Sequence, residues 1–139
     1  MRLFRLPTLL PLTIALSVVA VFGCSDLGDP VDPTTPTPEV VSFSEDIQPI
    51  FNSRCAIAGC HVQPAPTGGL DLTEGQSWAN LVGVRAQSFP GERVVAGSPA
   101  GSVLYLLVET GSMPQVGGPL STAQIELIRK WIADGALNN

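Results

Sequence analysis

Histidine is almost absent from this chain: His61 is the only one in 139 residues. No Ser-His-Asp set, phosphate-binding glycine loop or pair of catalytic carboxylates can be assembled around a lone imidazole and scattered acids, so the chain does not read as an enzyme. Basic residues are scarce too, with 7 Lys and Arg against 12 Asp and Glu and a net charge of −5. Phosphate binding depends on basic clusters, and nucleic acid is therefore not an expected partner. Long apolar runs are limited to one, Leu6 to Phe22, which Pro7 and Pro11 interrupt. A membrane-spanning helix needs about 20 apolar residues, so this run falls short of one.

What the run does resemble is an export signal. Arg2 and Arg5 form a basic start, the apolar stretch follows, and Val21-Phe22-Gly23-Cys24 closes it. A small residue directly before Cys24 fits the bacterial lipoprotein pattern, in which the cysteine is lipidated and becomes the new N-terminus; plain secretion is the alternative. The cysteine count agrees with lipidation. Of 3 cysteines, Cys24 takes the lipid and leaves a matched pair, Cys55 and Cys60. Loss of residues 1–23 lowers Lys+Arg from 7 to 5 while Asp+Glu stays at 12, giving a mature net charge of −7. The expected location is the periplasm or outer face of a bacterial membrane.

Residues 24–40 are rich in Pro, Thr, Asp and Gly, including Asp32-Pro33-Thr34-Thr35-Pro36-Thr37-Pro38. Such a segment cannot bury enough apolar surface to order itself, and its prolines keep it extended, which predicts a tether. Residues 41–139 then form one domain. Its clearest element is the last: Ser121-Thr122-Ala123-Gln124 is a capping box, Leu120 and Ile125 are placed for a hydrophobic staple, and Ile125, Ile128 and Ile132 share a face with Leu127 and Trp131 beside it. Gly135 stops that helix. Another helix is predicted from Ser98-Pro99 through Val108, although its apolar run also permits a strand. Shorter helices are predicted at Ser77–Val82 and at Glu45–Asn52, the latter with Pro49 near its start. With 14 Gly and 13 Pro, the connections are long and the core is modest. A large apolar cofactor would supply the missing burial.

Cys55-Ala-Ile-Ala-Gly-Cys60-His61 points to such a cofactor. In the usual C-x-x-C-H signature two thiols form thioethers to porphyrin vinyls and the next histidine ligates iron. Here the spacer is four residues, yet the Cys-His adjacency is kept, and small Ala and Gly can loop outward. Two other readings compete. Cys55 and Cys60 could form a small disulfide with His61 an ordinary surface residue, or the three could sit on zinc, which would leave a fourth position unfilled.

If His61 ligates one face of a haem iron, bis-histidine ligation within one molecule is excluded. Met1 leaves with the signal, so Met113 is the sole methionine remaining. It precedes Pro114, which biases Met113 to extended backbone and helps to aim the thioether. A lone loop methionine can also be packing or surface.

Taken in order, Asp46-Ile47-Gln48-Pro49-Ile50-Phe51, the Cys-x4-Cys-His segment, Gly68-Gly69-Leu70-Asp71-Leu72, Arg93-Val94-Val95-Ala96-Gly97-Ser98-Pro99, Met113-Pro114 and Leu120 through Ala136 resemble the cytochrome c domains widespread in planctomycete and related bacterial exported proteins. The resemblance covers roughly residues 43–136. It implies an all-α, cytochrome c-like domain of short helices wrapped around one covalent haem c, with the first and last helices packed across each other. Cys55 and Cys60 would be the attachment points, His61 the proximal ligand and Met113 the distal one. Ala96 stands where related domains often have proline, and the spacer is longer than usual.

His/Met ligation fills both axial positions, which suits single-electron transfer. Arg85 and Arg93 are candidate propionate partners, with solvated loop charges as the other reading. Trp78, Tyr105 and Trp131 read as core rather than as an electron relay. An acidic carrier is expected to meet a redox protein with a basic docking surface. The alternative is a disulfide-stapled structural or interaction lipoprotein without haem, and a third reading is a haem enzyme or sensor in which Met113 leaves the iron.

Overall fold

The computed structural model describes residues 40–139. The proposed signal segment, Cys24 and nearly all of the tether lie outside the described residues. Helix makes up 42% of what is described and extended residues 5%, all of the latter isolated bridges, so the class is all-α as expected. No described helix is long and apolar enough to cross a membrane.

The first helical stretch opens at Ser42, whose Oγ accepts the Glu45 amide while Asp46 Oδ2 accepts the Ser42 amide at 2.8 Å. Two donors of the helix start are thus satisfied within one turn, and the Phe43 and Ser44 amides donate to Asn139. A wide π turn, Phe43–Ile47, runs directly into α1, Gln48–Arg54. The helix predicted at Glu45–Asn52 is therefore longer at both ends. Pro49 lies in the first turn of α1, where its lack of an N–H is tolerated. Phe43, Ile47, Ile50 and Phe51 are buried.

They meet the last helix, α4, Thr122–Ala133, through Trp131: the Phe43 and Trp131 rings lie 5.2 Å apart between centroids and the Phe43 and Phe51 rings 6.2 Å. Burying one such side chain contributes about 1.5–3 kcal/mol. The capping box at Ser121 and Gln124 forms as predicted, Ile128, Trp131 and Ile132 are buried, and Gly135 follows the helix at φ +105. On the exposed side Arg129 pairs with Glu126 and Lys130 with Asp134. The indole nitrogens of Trp78 and Trp131 donate to the carbonyls of Ala136 and Leu137, which ties the C-terminal residues to the core. Tyr105 is half-buried and its hydroxyl donates to Glu109 at 2.7 Å.

Between these ends lie α2, Ser77–Leu81, close to its predicted bounds, and α3, Val103–Glu109. The apolar run at 103–108 is thus helical and not a strand. The predicted start at Ser98-Pro99 is corrected: Pro99–Gly101 is a separate 3-10 turn, and Ser102 breaks the run in extended backbone. Ser98 provides no side-chain cap. The reason lies in Ser102, which is buried and whose Oγ accepts the Val95 amide at 2.9 Å and donates to the Ser98 carbonyl at 2.8 Å. The first amides of α3 are then taken by neighbouring chain, with Val103 donating to Glu92 and Leu104 to Arg93. That borrowing places α3 beside the loop that carries Arg93.

Candidate functional site

α1 ends at the first cysteine of the sequence motif. Cys55 caps the helix with its amide on the Phe51 carbonyl, and the chain turns through Ala58 and Gly59, both exposed, before Cys60. The His61 amide donates back to the Cys55 carbonyl at 3.1 Å, so the four-residue spacer closes a loop on itself. Both cysteines are free thiols. Burial pushes the Cys55 thiol up to about 11, against a smaller opposing pull from Arg54. It is neutral at physiological pH and a poor thiolate nucleophile for disulfide exchange.

His61 is then zipped to the segment Leu70-Asp71-Leu72. Its Nδ1 is 3.2 Å from the Leu70 carbonyl oxygen and its own carbonyl accepts the Leu72 amide at 2.9 Å. A carbonyl only accepts, so in the neutral ring this contact favours the hydrogen on Nδ1 and leaves Nε2 with a lone pair able to ligate a metal. Asp71 stiffens this segment by accepting from the Thr73 amide, the Thr73 hydroxyl at 2.7 Å and Gln63 at 2.9 Å. The two hydrogen bonds from Thr73, and then that from Gln63, hold its carboxyl below the usual carboxylate range.

Met113 follows α3. Its amide donates to the Leu107 carbonyl at 3.0 Å, and its side chain is half-buried against the core. Residues far apart in sequence converge here on one cleft of about 340 Å³, whose walls include Cys55, Cys60, His61 and Met113. Its remaining surface is largely aliphatic, from Leu70, Leu72, Leu81, Val103, Leu104, Leu107 and Val108. Phe89 and Val116 line it too although they are 43% and 57% exposed, which leaves apolar surface at its edge.

The two candidate arginines part company. Arg93 lines the cleft, is buried, and donates from Nη1 to the Asn80 carbonyl and from Nη2 to the Gly68 carbonyl, each at 2.8 Å. The ion pairs among the described residues lie elsewhere, along α4 and its C-terminal cap, and this buried cation donates to carbonyl oxygens. Desolvation lowers its pKa. Arg85 is exposed and is not part of the cleft lining.

A zinc-like grouping is not built: among the described residues no three His, Cys, Asp or Glu side chains gather to hold a metal ion. The sequence assigns no role of their own to Leu70 and Asp71, read only as part of a motif, or to Arg54, not singled out at all. The first acts through its carbonyl, which every residue type has. Comparisons with protein-family models, curated proteins and solved structures find no match.

Proposed function

We propose that this chain is an exported, lipid-tethered carrier of single electrons, built around one covalent haem c. The observation that carries this reading is the convergence of His61, its Nε2 free for a metal, with Met113 and both motif cysteines on one apolar cleft. Cys55 and Cys60 would hold the group by thioethers, and His61 and Met113 would be its axial ligands. Such a group, held by His61 and Met113, would supply single-electron exchange.

The rest of the lining suits the same occupant. The aliphatic walls exclude water from a porphyrin face, and the Leu70 carbonyl orients the imidazole from behind, as second partners of metal-bound histidines do. Arg93 supplies a desolvated positive charge with no carboxylate partner among the described residues, which fits a propionate; Arg85, in solvent, is the weaker candidate of the two. The cytochrome c-like architecture belongs to this proposal, as do anchorage through Cys24, an outward-facing location and a redox partner with a basic docking surface.

The test is to express the chain for export with haem-attachment machinery and to record its spectrum and the mass of the peptide spanning Cys55 and Cys60. A Soret band with a porphyrin adduct on that peptide is expected. A colourless product whose peptide has lost two hydrogens would instead establish the disulfide-stapled lipoprotein.

A further inference from the structure

The segment after Met113 is fastened at two places. On its near side the Met113 amide reaches the Leu107 carbonyl at 3.0 Å. On its far side Arg54 Nη2 donates to the carbonyls of Gly117 at 3.0 Å and Gly118 at 2.6 Å, with the Pro119 carbonyl at 3.5 Å. Between the anchors, Pro114, Gln115 and Val116 line the cleft and make no backbone hydrogen bond to another described residue. Gly117 and Gly118 are both left-handed, at φ +76 and +75, a pair of conformations that glycine adopts without strain. Arg54 itself is the last residue of α1 and the immediate neighbour of Cys55.

We infer that Arg54 is a positioning residue that latches the Met113 loop to the helix carrying the first attachment cysteine. This rests on the reading of Met113 as the distal ligand. One side chain then links the two walls of the cleft, so the attachment side and the distal side share a common reference. Without it, residues 114–119 are held only at their ends and by apolar contact, and the loop opens more often. The ligand acts on the iron only in the closed state, so occupancy of the sulfur follows the population of that state.

The test compares wild type, Arg54→Gln, Arg54→Lys and, as a control on a distant surface arginine, Arg129→Gln. In the haem-loaded ferrous protein, carbon monoxide enters when the loop opens; Arg54→Gln is expected to speed its binding about tenfold, the size of one charge-assisted hydrogen bond lost at a half-exposed place. In the ferric form of the same variant the sulfur-to-iron charge-transfer band should weaken. Because one nitrogen serves both glycine carbonyls, lysine keeps the needed donors and should restore part of the effect, whereas Arg129→Gln should leave both readouts at wild-type values.

A second readout does not need haem. Met113 is the only methionine after Met1, so its labelled methyl group gives a single resonance from the mature protein. In whatever state the protein is recovered, Arg54→Gln should sharpen that signal and move it toward free methionine. If the wild-type protein carries no haem, the electron-carrier reading fails while the methyl signal still decides the latch. A methyl signal and carbon monoxide rate unchanged in Arg54→Gln would overturn it, as would a gain equal in all three variants.

Discussion

The His61 imidazole and the Leu70 carbonyl face each other at 3.2 Å, with Nδ1 toward the oxygen. The pair sets the ring's tautomer and its rotation, leaving Nε2 to face the other way. Replacing Met113 should therefore leave that half of the site in place. If the proposed haem is held by His61 and Met113, Met113→Ala is expected to lower its reduction potential by a few tenths of a volt, a share of the about 0.8 V that axial ligands span. It should also let the ferrous haem-loaded protein bind carbon monoxide faster than wild type. A potential and an absorption spectrum identical to wild type would show that Met113 is not the ligand.

Asp71 makes the His61 segment sensitive to acid. Its folded carboxyl lies below the ordinary value of 3.8, so the ionised form is favoured by folding. The stability this contributes is complete above 3.8 and is lost as pH falls through the lower folded value. Asp71→Ala removes the acceptor for Thr73 and Gln63 altogether. The variant should be less stable than wild type at pH 6 and should converge toward it in strong acid, as followed by denaturant midpoints across the range. A stability gap that persists undiminished at the acid end would assign the loss to packing and not to the carboxylate.

Trp131 joins the two ends of the domain. It is 1% exposed, packs on Phe43 and ties the Leu137 carbonyl through its indole nitrogen. Trp131→Ala should cost about 3–5 kcal/mol, a large part of the 5–15 kcal/mol typical of a domain. Trp131→Phe keeps ring packing but orphans that carbonyl, and should cost less. Urea unfolding of both variants checks the order; equal losses would mean that the ring itself contributes little.

The elements that could be foreseen are those whose cause is a residue type. Ser121 and Gln124 can cap only a helix start, and the spacing of Ile128, Trp131 and Ile132 fits one helical face, so α4 stands where it was predicted. The predicted start of α3 differs from the observed one because Ser102 spends its hydroxyl on the backbone of Val95 and Ser98, contacts that no residue type in that segment announces. The cleft was half legible. Cys55, Cys60, His61 and Met113 announce themselves by chemistry, and the structure brings them to one cavity. Arg93 announces a charge, yet its partners are the carbonyls of Gly68 and Asn80, and Arg54 likewise holds Gly117 and Gly118. Carbonyls carry no residue signature, so such ties appear only when the backbone is in place.

The capping box at the start of α4 tests whether this helix is held by its own sequence or by the core. Ser121 Oγ accepts the Gln124 amide at 3.2 Å while Gln124 Oε1 accepts the Ser121 amide at 3.0 Å. Ser121→Ala should cost about 1 kcal/mol, which lowers the melting midpoint of a domain this size by about 4–8 °C. Gln124→Ala removes only the return bond to the Ser121 amide and keeps the serine oxygen on the helix amide, so it should cost less. Because each bond positions the side chain that makes the other, the double variant should lose less than the sum of the two single losses. Thermal melts of the four proteins measure the coupling, and strictly additive losses would mean that the two bonds form independently.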